Sequence, residues 1–136
     1  MSKAAGHESI RSDEGRWSAA AAGIQRWRSA LSWQRAVDKE LRASGLSLTR
    51  WLVLHATDSL IRSSGDAVSH RAVAQYAGMV EMTVSRVMDS LVDRGWVSRD
   101  ISSVTPAWRV ILTTAGRRVL AEGRERIEAA SARWAG

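Results

Sequence analysis

Apolar positions recur at the helical period in five stretches of the chain and at the strand period in one region between the last two. In residues 16–43, Ile24, Trp27, Leu31, Val37 and Leu41 stand at spacings of three, four, six and four, with Ala30 and Trp33 widening the face. This predicts an amphipathic helix of roughly seven turns. Gly45 is placed to end it. Ser47 begins a second helix whose inner side carries Leu48, Trp51, Leu52, Leu54 and His55. Residues 62–66, Arg-Ser-Ser-Gly-Asp, read as a loop.

Residues 69–99 organise the rest. Ser69 is a cap for a short helix bearing Val73, Ala74 and Ala77, and Gly78 permits a sharp turn. The next helix places Val84, Val87, Met88, Leu91 and Val92 in one apolar stripe. Glu81, Thr83, Ser85, Arg86 and Asp89 lie on its other face, and Gly95 ends it. Two helices joined by a glycine-containing turn have helix-turn-helix form, in which the second helix enters a DNA major groove. A helical hairpin that only builds a core has the same pattern.

After Gly95 the period becomes two. Trp96, Ser98 and Asp100 alternate with Val97, Arg99 and Ile101; beyond a break containing Pro106, Trp108, Val110 and Leu112 alternate with Arg109 and Ile111. This predicts a β-hairpin with Pro106 at its tip or edge. A hairpin directly after such a helix is a wing. A last helix begins near Thr113 or Thr114. Its Gly116, Leu120, Gly123, Ile127, Ala130 and Trp134 form a heptad seam that must pack on something, the first helix of this chain and of a second copy being the natural partner.

Composition sharpens the picture in two ways. The 136 residues include 20 basic and 14 acidic side chains, a net charge of +6, and the basic residues are all Arg apart from Lys3 and Lys39. That balance favours an anionic partner, nucleic acid foremost. There is no cysteine, which excludes disulfides and thiolate metal sites, and the three His (7, 55 and 70) are too scattered for a metal site. No cofactor is implied. No apolar run spans a membrane and no signal-peptide core is present, so a cytoplasmic location is expected. A glycine-rich phosphate loop, paired carboxylates and a nucleophile triad are all lacking, so an enzyme is not expected.

The order of parts resembles the MarR family of bacterial transcriptional regulators over residues 20–132. Three segments carry the resemblance: LSLTRWLVL at 46–54, Thr83-Val-Ser-Arg86 followed by Asp89, Leu91 and Gly95-Trp-Val97, and Leu112-Thr-Thr-Ala-Gly116. It implies a mainly α fold: a winged helix-turn-helix domain with long N- and C-terminal dimerisation helices and a two-stranded wing. Residues 1–15 are then a mobile tail, 16–45 and 113–136 dimerisation helices, and 46–112 the DNA-binding region, in one compact domain. It also implies a homodimer reading a palindrome, and a small aromatic acid as effector. Two features depart from the family: Val80 and Glu81 open the recognition helix, and the tip Val104-Thr-Pro-Ala-Trp108 lacks the usual Asp-x-Arg.

On this reading the DNA-binding residues are Ser69, His70, Arg71, Glu81, Thr83, Ser85, Arg86, Arg94, Arg99 and Arg109. Arg86 suits a guanine, because its fork matches the O6/N7 pair. Trp27, Arg28, Trp51 and His55 are the effector candidates, aromatic walls and a cation fitting an aromatic carboxylate. The expected dimer contacts are Ile24, Leu31, Leu120, Gly123, Ile127 and Trp134. A ligand-independent DNA-binding or architectural protein is the alternative, predicting binding insensitive to small molecules.

Overall fold

The computed structural model describes residues 16–64, 68–99 and 110–136. Their elements are α1 (Ser18–Arg42), α2 (Leu48–Ser64), α3 (His70–Ala77), α4 (Glu81–Asp93), β1 (Val97–Arg99), β2 (Val110–Leu112) and α5 (Thr114–Ala135). This is a winged helix-turn-helix order, as the periodicities predict. The expected tail at 1–15, the wing tip with Pro106, and Arg109 lie outside the described residues.

Contacts divide the chain into two units, residues 1–35 and 36–136, and α1 runs from one to the other. In the first unit residues 18–35 are helical and none of the described residues is buried; Trp17, Ile24 and Trp27 are exposed.

In the second unit α2 is central, packing on α3, α4, α5 and β2. Its start is fixed twice: Ser47 Oγ accepts from Arg50 N at 3.2 Å, and the Asp38 carboxylate accepts from Leu48 N at 3.0 Å. Trp51, Val53, Leu54 and Ala56 are buried along it, while Leu52 and His55 are half-buried. Against it α4 buries Val84, Met88 and Leu91, spaced four and three apart. Each such side chain contributes about 1.5–3 kcal/mol when fully buried. In the wing, β1 pairs antiparallel with β2 in the register Val97↔Leu112, Ser98↔Ile111, Arg99↔Val110. Val97, Val110 and Leu112 face the core and Ile111 faces out, as the period of two requires.

Two expectations are corrected. The loop placed at 62–66 begins late, because α2 continues to Ser64. Ser63 and Ser64 donate back to Leu60 O at 3.2 and 2.7 Å, and Arg62 pairs with Asp58 at 3.0 Å, so polar side chains that usually break a helix here prolong it. The second correction concerns the α5 seam. Gly116, Leu120, Gly123 and Ala130 are buried within this chain. At Gly116 a side chain would meet the Trp96 backbone, and at Gly123 the Trp51 indole. Leu120 and Gly123 are therefore occupied by the chain's own core and are not open to a second copy. Ile127 is half-buried, and Trp134 is 43% exposed.

Candidate nucleic-acid interface

The interface is built from the turn between α3 and α4. Ser69 caps α3, its Oγ accepting from Ala72 N at 3.1 Å. Gly78 ends α3 with φ 69°, a left-handed conformation that glycine adopts without strain. Val80 then sits at the N-cap of α4 and supplies no side-chain bond. A Val80→Ser variant is expected to gain about 1 kcal/mol of stability from the missing cap, read as a higher thermal midpoint; an unchanged midpoint would contradict the cap assignment.

At 100° per residue, the face of α4 opposite Val84, Met88 and Leu91 carries Met82, Arg86 and Asp89, all exposed. Thr83 and Ser85 are half-buried on its flanks, and Glu81 is exposed in the first turn, where the helix dipole favours a negative charge. The Arg86 guanidinium rests on the Met82 sulfur at 3.6 Å. Behind Arg86 an open cleft of about 320 Å³ is lined by Ser47, Thr49, Arg50, Val87 and Ser90. Arg50 donates from Nε to Ser90 Oγ at 2.9 Å. Two guanidiniums and several hydroxyls beside one cleft suit phosphate oxygens.

Ser69 and Arg71 are exposed and His70 is half-buried at the start of α3. Arg99 on β1 pairs with Asp89 at 3.4 Å across exposed surface, an interaction of about 0–1 kcal/mol that a phosphate would compete for. Arg94 is not brought to the leading end. It caps the far end of α4, about 20 Å along the helix. There its guanidinium lies 5.2 Å from the Trp96 ring centroid and donates to Gly45 O at 3.4 Å. Arg50 and Met82 escaped the sequence reading as contact residues, and Val80 entered it only as a departure from the family. Met82 precedes Arg86 by four residues, which marks it as a facial neighbour, but a search for polar contacts passes over a methionine.

Of the effector candidates, Trp27 and Arg28 are exposed on α1 in the first unit. Trp51 and His55 belong to the second unit. Trp51 is buried, donates from Nε1 to Leu120 O at 3.0 Å, and stacks on His55 with centroids 4.9 Å apart at 7°. Tyr76 meets His55 edge-on at 6.0 Å. The sequence reading missed Tyr76, which is half exposed and interrupts no apolar stripe. His55 Nδ1 is buried and lacks a hydrogen-bond partner among the described residues.

Burial first, and the Arg124 charge second, lower the His55 pKa below 6.5, while Asp58 opposes them. The unfolded chain then takes up this proton more readily than the folded one. Stability is expected to be full above about pH 6.5 and to fall as pH drops from there toward the lowered folded value. His55→Gln should flatten that part of a stability–pH curve, and an unchanged curve would contradict the assignment.

Among the described residues no group of His, Asp or Glu is placed to hold a metal ion, and no helix is long and apolar enough to cross a membrane. No protein-family model matches the sequence, and no curated protein does. Solved structures do match. A MarR family transcriptional regulator from Rhodococcus sp. RHA1 is 26% identical with TM-score 0.70, covering 85% of this chain and 80% of its own. CouR from Rhodococcus jostii RHA1, bound to p-coumaroyl-CoA, is 26% identical with TM-score 0.69, covering 82% and 76%. The Mycobacterium tuberculosis MarR family protein Rv2887 is 25% identical. Its complex with DNA has TM-score 0.65, covering 82% of this chain and 80% of that one. Its complex with p-aminosalicylic acid has TM-score 0.67, covering 82% of each chain.

Proposed function

We propose that the chain is a member of the MarR family of transcriptional regulators, a reading its fold and its solved neighbours support, and that it is a sequence-specific DNA-binding regulator. The finer reading is a homodimeric repressor released from a palindromic operator by a small aromatic carboxylate. One observation carries the DNA reading: the leading end of α4 is exposed and uncapped, with Arg86 on its outer face and the Arg50 cleft behind it. Glu81 flanks Arg86 as an acceptor for a base-edge amine, and Thr83 and Ser85 as base-edge or phosphate contacts. Ser69, His70 and Arg71 at the start of α3 join Arg99 of the wing, and Arg109 as proposed from the sequence, as phosphate contacts, and Arg94 serves the backbone only if it leaves Trp96. The charge of +6 agrees.

Dimerisation rests on exposed apolar side chains that a single chain leaves in water: Ile24 at 57%, with Trp134 at 43%, and Leu31 and Ile127 half-covered. The effector reading rests on the Trp51–His55–Tyr76 cluster and on the unsatisfied His55 Nδ1, an atom whose isolation costs about 1–3 kcal/mol that a ligand carboxyl would recover. Trp27 and Arg28 remain proposed from the sequence. The ligand-independent alternative is favoured by one fact, that Trp51 is already committed to the core through Leu120 O and Gly123.

Selection of bound duplexes from random DNA tests the first claim, and a palindrome with half-sites about one helical turn apart is expected. An unrepeated half-site would contradict the dimer, and no preferred sequence would contradict specificity. Titration with benzoate-like acids tests the second. Quenched Trp fluorescence with loss of DNA binding supports the effector, and neither change across a broad panel leaves the ligand-independent reading.

A further inference from the structure

Val80 and Met82 are large apolar side chains left 69% and 66% exposed at the leading end of α4. They stand where the α4 dipole and the Arg86 guanidinium concentrate positive charge. Neither holds the fold: Val80 forms no cap bond, and Met82 lies opposite the buried stripe. A hydrophobic protein partner would meet Arg86 and Glu81 in the same patch and leave both charges desolvated. A DNA major groove offers this patch both of its complements. Its floor carries acceptors for Arg86, and the only apolar group on any base edge there is the C5-methyl of thymine.

We propose that Met82, with Val80 beside it, is a specificity-determining residue that covers a thymine C5-methyl group next to the guanine taken by Arg86. This rests on the DNA-binding reading above and adds to it a base identity. The 3.6 Å contact between the Arg86 Nη2 and the Met82 sulfur joins the two side chains into one unit, so the guanidinium and the thioether arrive together. An unbranched thioether adapts to a methyl surface without demanding a hydrogen bond. Glu81, one residue earlier, penalises a bare phosphate approach and so keeps the pair directed at the base edges.

The test uses the full-length protein and the duplex it selects from random DNA. Competition binding compares that duplex with one carrying deoxyuridine for thymine in the half-sites, which preserves pairing and removes only the methyl. Wild type is expected to bind the deoxyuridine duplex about fourfold less tightly per methyl removed, and about fifteenfold when both half-sites are changed. Met82→Gln should bind both duplexes equally, and Met82→Leu should keep the preference. Equal binding of both duplexes by wild type, or an undiminished preference in Met82→Gln, would overturn the proposal while leaving sequence-specific binding intact. A protein that binds no duplex at low salt would remove the DNA reading itself, and this proposal with it.

Discussion

Gly116→Ala is expected to lose about 3 kcal/mol of folding stability, read as a thermal midpoint lowered by roughly ten degrees or more. Gly116 sits in the first turn of α5, where its N–H donates to the capping Thr113 Oγ1 at 3.0 Å. A Cβ there would run into the backbone carbonyl of Trp96, whose oxygen accepts from Thr113 N at 3.1 Å. Thr113 also donates from Oγ1 to Gly95 O at 2.6 Å. With Trp96 N also donating to Leu91 O at 3.0 Å, the obstacle is backbone held at three points, so it cannot rotate aside as a side chain would. Alanine's better helix propensity, about 1 kcal/mol, offsets only part of the strain. Gly23→Ala is the control: a Cβ at Gly23 in α1 meets nothing within 4 Å, so that variant should gain stability or hold it. Thermal unfolding of the two variants checks both. A Gly116→Ala midpoint within a degree or two of wild type would mean that α5 does not seat on Trp96.

Arg86→Ala is expected to weaken DNA binding by about 1–3 kcal/mol per half-site, about fivefold to 150-fold, and to relax base preference at one position. Folding stability should hardly change, because the side chain is exposed and its only described contact is the Met82 sulfur. Arg71→Ala should instead weaken all sequences uniformly and reduce the slope of affinity against salt by about one ion. Binding isotherms on a panel of operator variants separate the two behaviours. If Arg86→Ala discriminated among variants as wild type does, the assignment of the base contact would fall.

The helix-turn-helix and wing were legible because each depends on local chemistry. Ser69 caps α3, Gly78 and Gly95 adopt φ of 69° and 74°, and Val110 and Leu112 are buried on either side of an exposed Ile111. The stripe of Val84, Met88 and Leu91 is buried at the predicted spacing. Long-range partners were not legible. A tryptophan at helical spacing looks the same whether it lines a cavity or fills a core, and the approach of Gly123 to Trp51 joins residues far apart in sequence. The same holds for the seam of α5, which packs inward at Gly116, Leu120 and Gly123 where a heptad alone promises a second copy. Arg94 belongs to this class too, since the Gly45 carbonyl that holds it is 49 residues away. Met82 differs, being visible in the sequence to anyone who asks which residue lies one turn before Arg86.

Guanine N7 methylation interference on the selected duplex tests the central claim most directly, because it asks whether the outer face of α4 lies in a major groove. Methylating one guanine per half-site is expected to abolish binding by wild type and to be tolerated by Arg86→Ala. Interference at no guanine, or the same interference pattern for both proteins, would contradict it.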